Sequence, residues 1–208
     1  MPFGYLGTTP NQQLKNSGVF SVSEALQVQK DGEWGGSLQL IEEQTFSGVT
    51  AVDFTSIGEN NYDVHLLQTL NMEHTSTAQT RLQFYESGVL ETGSEYEYAF
   101  VQGESNGNFY DTLRSTGESF IYVTYSNNGT NTGDLESSYI YLYDLGNSAK
   151  YSQVTMQSLF QDNGVFKFQF GGGTLSQAST VDGIRLDFQS ASTNGTAKLY
   201  GVKQKWVI

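Results

Sequence analysis

From Gly36 onward the chain passes through about eleven short stretches in which apolar and polar residues alternate, and Asn-Gly, Ser-Gly, Thr-Gly or Asp-Gly marks nearly every gap. In Tyr139-Ile140-Tyr141-Leu142-Tyr143 the tyrosines share one face and the aliphatics the other. In Val165-Phe166-Lys167-Phe168-Gln169-Phe170 three phenylalanines face one way, with Lys167 and Gln169 between them. Side chains on a strand point to opposite faces with period two, so each stretch has a core face and a second face. The pattern predicts strands over Ser37–Phe46, Val49–Thr55, Tyr62–Leu70, Gln79–Glu86, Tyr96–Gln102, Phe120–Tyr125, Ser138–Leu145, Gln153–Ser158, Val165–Gly171, Ile184–Gln189 and Thr196–Trp206. The expected fold is all-β, an antiparallel jelly-roll-like β-sandwich over residues 36–208. Residues 103–117 are expected to form an exposed loop, 126–135 a flexible tip, and Gly171-Gly172-Gly173 a turn.

Residues 1–35 read differently. Gly4, Gly7, Pro10, Asn11, Gln12 and Gln13 predict an irregular arm, followed by one short helix over 21–31 that Ser21 or Ser23 can cap and Asp31-Gly32 stops. Phe3, Tyr5, Leu6, Val19, Phe20 and Trp34 are apolar anchors in a segment too irregular to build its own core. They are expected to dock the arm onto another surface.

Composition narrows the function. Aromatics make up 13% of the 208 residues, with 13 Tyr and 13 Phe, which argues for a packed fold over disorder. The net charge of −12 and the absence of any basic run disfavour nucleic acid and anionic membrane as partners. The chain has no cysteine, which excludes disulfides, thiolate metal sites and cysteine nucleophiles. Met1-Pro2-Phe3-Gly4-Tyr5 shows no secretory pattern, and no apolar run approaches the roughly 20 residues a membrane span needs. Lys198, Lys203 and Lys205 form a locally basic C-terminal end, read as solvated lysines on a last strand.

Candidate chemistry is sparse. Glu95 and Glu97 share a strand face, as the two carboxylates of a glycoside hydrolase would, but an edge strand carries such pairs simply to resist aggregation. Glu42 and Glu43 point to opposite faces. His65 shares a face with Asp63, and His74 stands beside Glu73; two such histidines do not make a zinc site. Asp134 and Glu136, near Asn131, offer oxygen ligands for calcium without the spacing of a calcium loop. The Asn-Gly pairs at Asn106, Asn128, Asn163 and Asn194 are read as tight turns. No catalytic residue, metal or cofactor is expected. Tyr96, Tyr98, Tyr139, Tyr141 and Tyr143 exceed what one core face can hold and are candidates for a surface contact, either a subunit interface or a sugar-stacking surface.

Tyr5-Leu6-Gly7, then Asn16-Ser17-Gly18-Val19-Phe20-Ser21-Val22-Ser23-Glu24, and then Gly32-Glu33-Trp34 resemble the N-terminal segment of many bacteriophage virion proteins. Tyr62-Asp63-Val64-His65, Gly183-Ile184-Arg185-Leu186-Asp187-Phe188 and Gly195-Thr196-Ala197-Lys198-Leu199-Tyr200-Gly201-Val202-Lys203 resemble structural proteins of marine cyanophages and related marine phages. The resemblance implies a virion component of tail, fibre or capsid-surface type, assembled in the host cytoplasm, and it brings no catalytic residues. Two function classes follow. The first is a non-enzymatic virion protein that contacts other virion proteins, forms a homo-oligomer such as a trimer, and touches a host-surface glycan. The second is a carbohydrate-binding or polysaccharide-degrading sandwich.

Overall fold

The computed structural model describes residues 38–131 and 133–202. The expected arm, its helix and the anchors Phe3, Tyr5, Leu6, Val19, Phe20 and Trp34 lie outside the described residues. The strands are β1 (Leu38–Val49), β2 (Ala51–Phe54), β3 (Val64–His74), β4 (Arg81–Glu86), β5 (Val89–Leu90), β6 (Tyr96–Glu104), β7 (Phe109–Glu118), β8 (Ile121–Tyr122), β9 (Glu136–Tyr143), β10 (Tyr151–Asp162), β11 (Val165–Ala178), β12 (Val181–Asp187) and β13 (Thr193–Val202). An eight-stranded sheet runs β1-β13-β3-β9-β10-β11-β6-β7, and a five-stranded sheet holds β2-β12-β4-β5 with β8 beside β4. Every pairing is antiparallel. Asn163 and Gly164, at φ 51° and 81°, form the two-residue turn between β10 and β11. Only that backbone hand matches the twist of the flanking strands, and Asn and Gly tolerate it.

The sheets face one another across a single core. The larger sheet contributes Leu67, Tyr96, Tyr98, Phe100, Ile140, Leu142, Val154 and Met156. The smaller contributes Val52, Phe54, Leu82, Phe84, Ile184 and Leu186. Removing such side chains from water, at about 25 cal/mol per Å², is what drives the two layers together. Tyr96 links them with its polar tip: its hydroxyl accepts from Phe84 N at 2.9 Å and donates to Glu91 O at 3.2 Å, while its ring stacks on Phe84.

Each of the eleven sequence-predicted strands has a counterpart. The all-β antiparallel sandwich is therefore the observed fold, with eight strands in one sheet and five in the other. Three local expectations are corrected. Residues 103–117 hold most of β7, which pairs with β6 as an edge strand, and only the stretch around Asn106-Gly107 turns. Within segment 126–135, Asn128 is anchored: it bridges to Ala78 and is buried. Gly171-Gly172-Gly173 continues straight through β11, between β10 and β6.

Candidate interaction face

The phenylalanine stretch of β11 is oriented opposite to a core strand. Lys167 and Gln169 point inward and are buried, at 7% and 0% exposure, so period two sends Phe166, Phe168 and Phe170 outward. The cause lies beneath them. At this end the inner face of the large sheet is covered by backbone of residues 123–126, whose polar groups must find partners. Gln169 Oε1 accepts from Tyr125 N at 2.7 Å, and Gln169 Nε2 donates to Val123 O at 3.3 Å. Ser158 Oγ also donates to Val123 O, at 2.6 Å, and Gln102 Nε2 donates to Ser126 Oγ at 2.8 Å. Lys167 Nζ meets Asp162 at 3.0 Å and Glu104 at 3.7 Å. The amide and ammonium groups are needed inside, and the aromatic rings are left outside.

Strands β9, β10 and β11 form the middle of the large sheet. Their charged residues are Glu136, Asp162 and Lys167. Glu136 and Lys167 are buried, and Asp162 turns to Lys167. The outer face of three adjacent central strands therefore carries no charge, in a chain of net charge −12. Its residues are Tyr, Gln, Thr, Phe, Leu, Ser and Gly. Tyr139 OH donates to Gln157 Oε1 at 2.7 Å, and the Tyr143 hydroxyl lies 3.2 Å from Thr155 Oγ1. Leu159 sits opposite Phe168, Gln157 opposite Phe170, and Phe170 opposite Val101 of β6. Phe168 and Phe170 stack with ring centroids 6.3 Å apart. Phe170 is 49% exposed, Tyr139 43%, Leu159 42% and Phe166 41%.

A trough crosses this face towards β7. Register places Thr155, Gly172, Ala99 and Arg114 side by side on four successive strands, so a floor with almost no side chain runs between two walls. Phe170 and Val101 stand on one side, Thr174 and Glu97 on the other. The recess measures about 600 Å³ and is lined by Glu97, Ala99, Arg114, Ser115, Thr116, Gly172 and Thr174, with Thr155, Phe170 and Val101 outside its lining. Gly172 has no alternative as floor, because a Cβ there would run into Val154 O.

The candidate residues divide accordingly. Tyr139, Tyr141 and Tyr143 lie on the outer face. Tyr96 and Tyr98 do not: both are core residues, and burial pushes both phenols well above their ordinary range. Glu97 lines the trough, whereas Glu95 precedes β6 and has a buried, unpaired Oε2. His65 is buried and donates through Nε2 to Ile57 O at 3.0 Å. His74 and Glu136 meet at 3.4 Å inside the core, where Glu136 Oε2 also accepts from Thr80 at 2.5 Å and Asn128 at 2.8 Å. Glu136 is thus no loop ligand for calcium, and Asp134 Oδ2 accepts from the backbone of Asn131 and Asn163. Of the Asn-Gly pairs, Asn163 and Asn106 make turns. Asn128 joins the buried network, and Asn194 sits at a bulge in β13, accepting from Ser47 and Gly48.

A second recess of about 310 Å³ is lined by Glu59, Tyr62, Asp63 and Asp144. Among the described residues no three His, Cys, Asp or Glu side chains gather as a metal site would require. No family model, curated protein or solved structure matches this chain. The outward phenylalanines, Arg114 and the glycine floor were not anticipated from sequence. A usable signal was present: the polar positions of β10 on the tyrosine side are Gln153, Thr155, Gln157 and Gln161, none of them charged.

Proposed function

We propose that this chain is a non-enzymatic virion structural protein of a bacteriophage, which assembles with copies of itself and with other virion proteins. The observation that carries this reading is the uncharged aromatic outer face of β9, β10 and β11. Interface cores are depleted of charge and enriched in Tyr and Phe, and contiguous exposed apolar surface marks association sites. An acidic molecule repels its own copies through most of its surface, and this face is where two copies meet without that repulsion. A trimer built around it leaves the N-terminal arm, with Phe3, Tyr5, Leu6, Val19, Phe20 and Trp34, to attach the sandwich to the particle.

The test combines two measurements. Mass spectrometry of gradient-purified particles from the host should find the protein in stoichiometric amount. A version lacking residues 1–17 should melt as full length does yet be missing from the particles. Absence of the full-length protein from purified particles would refute the virion role, and incorporation of the truncated form would move docking away from the arm. A glycan-binding role is the second reading, favoured by the trough beside Phe170.

A further inference from the structure

We infer that the trough over Gly172 and Ala99 is a binding site for an acidic oligosaccharide, one built from uronic-acid or similarly charged sugar units. The inference does not depend on the virion role. Four strands spaced about 4.8 Å apart give the floor a length of about 14 Å across the sheet, enough for a short run of sugar rings. The ligand gains no main-chain pairing here, because β11 and β6 spend their backbone groups on β10, on each other and on β7. That disfavours an extended peptide across the floor, because strand addition is open only along the outer edge of β7. Recognition falls to side chains. Glu97, Thr174, Ser115 and Thr116 line the recess and supply acceptors and hydroxyls suited to a polyhydroxylated ligand, and Phe170, two positions before Gly172 on the same outer face, stands beside the recess as an apolar surface for the C–H face of a ring.

Arg114 selects the charge. Among the described residues Arg81, Lys167, Arg185 and Lys198 each lie within ion-pair distance of a carboxylate; Arg114 and Lys150 do not, and of these two only Arg114 lines the recess. It is exposed at the end of the trough, opposite Ala99. A guanidinium offers paired N–H donors that fit a carboxylate side by side. An arginine without a carboxylate partner at the mouth of the trough is the local cation that an anionic sugar needs, and its bidentate contact must outweigh the repulsion of Glu97 and of the chain's net charge of −12.

The test is calorimetric titration of the full chain with a short oligogalacturonate, with a dextran oligosaccharide of similar length and polyglutamate as controls. Saturable binding of oligogalacturonate alone is expected. Arg114→Ala should weaken it about tenfold, a difference of about 1.4 kcal/mol. Ala99→Phe, at an exposed position, should fill the floor and abolish binding without lowering the melting temperature. Phe166→Glu, outside the trough, should leave sugar binding intact even where it disrupts self-association, so failure of the two readings is distinguishable. Equal binding of dextran overturns the charge selection, and equal binding of polyglutamate overturns the sugar. No saturable binding, or wild-type binding by both trough variants, overturns the site.

Discussion

The ring of Phe168 lies across Gly103 of the neighbouring strand, its edge occupying the space a Cβ on Gly103 would need. The glycine in β6 and the phenylalanine in β11 are thus one fitted unit on the outer face. Gly103→Ala is expected to push the ring off its stack with Phe170 and to destabilise the fold by about 1–3 kcal/mol, the usual effect of overpacking. Urea unfolding measures that change. A variant as stable as the parent would show that the ring moves freely and that the outer face is not preorganised.

Glu136 anchors a polar knot between the sheets. Its Oε2 collects Thr80, Asn128 and His74, and His74 Nδ1 lies 2.9 Å from Thr193 Oγ1. Glu136→Ala would strand buried donors from three segments and is expected to cost about 3–5 kcal/mol. Glu136→Gln keeps an acceptor for Thr80 and Asn128 and should cost clearly less. Denaturant midpoints for the two variants check the order, and equal losses would mean that volume rather than hydrogen bonding matters at this position.

His65 gives the fold a pH dependence. Burial holds its pKa below the ordinary 6.5, against the opposing pull of its bond to Ile57 O and of Glu59. Nε2 already donates, and a second proton on buried Nδ1 would find no acceptor. About a unit or more above pH 6.5 the ring is neutral in both states. As pH falls below 6.5 the unfolded chain takes up a proton that the folded ring refuses, so stability drops until the folded pKa is reached, by no more than about 1.4 kcal/mol per pH unit. Melting curves between pH 7.5 and 5 should therefore slope more steeply for the parent than for His65→Gln, roughly the range in which a histidine titrates. Parallel slopes would assign the dependence to another group.

The strands were legible because alternation is a local signal: β9 and β10 each bury every second residue, as their sequences require. Which face is inside was not legible for β11. Alternation separates Phe166, Phe168 and Phe170 from Lys167 and Gln169 but does not say what covers either set, and that depends on residues 123–126, distant in sequence. Tyr96 and Tyr98 misled for a related reason. The number of tyrosines suggests a surplus, whereas Tyr96 satisfies its hydroxyl within the core and can be buried whole. The trough needs the register of four strands, Thr155 beside Gly172 beside Ala99 beside Arg114, and register between distant strands is not written in any one of them.

The outer face yields the sharpest test of assembly. Phe166 and Phe170 are each more than two-fifths exposed and face away from the core, so replacing both with Glu removes no core packing. Substitutions of exposed side chains usually shift stability by no more than about 0.5 kcal/mol, and relieving two large exposed rings works against any loss. The same change places new negative charge in the centre of a face that carries none, on a molecule already at −12. Burying an unpaired carboxylate against a second copy costs several kcal/mol, far more than a marginal interface can offset. The double variant Phe166→Glu/Phe170→Glu should therefore melt within a few degrees of the parent under conditions where both are monomeric. Light scattering at micromolar concentration should find the parent oligomeric and the variant a monomer. Tyr96→Phe is the internal contrast: it alters only the buried hydroxyl, and should lower stability by about 1–3 kcal/mol through the unpaired Phe84 N–H while leaving the oligomer intact. A parent that is monomeric at these concentrations, or a double variant that stays oligomeric, would place the assembly surface somewhere other than β10 and β11.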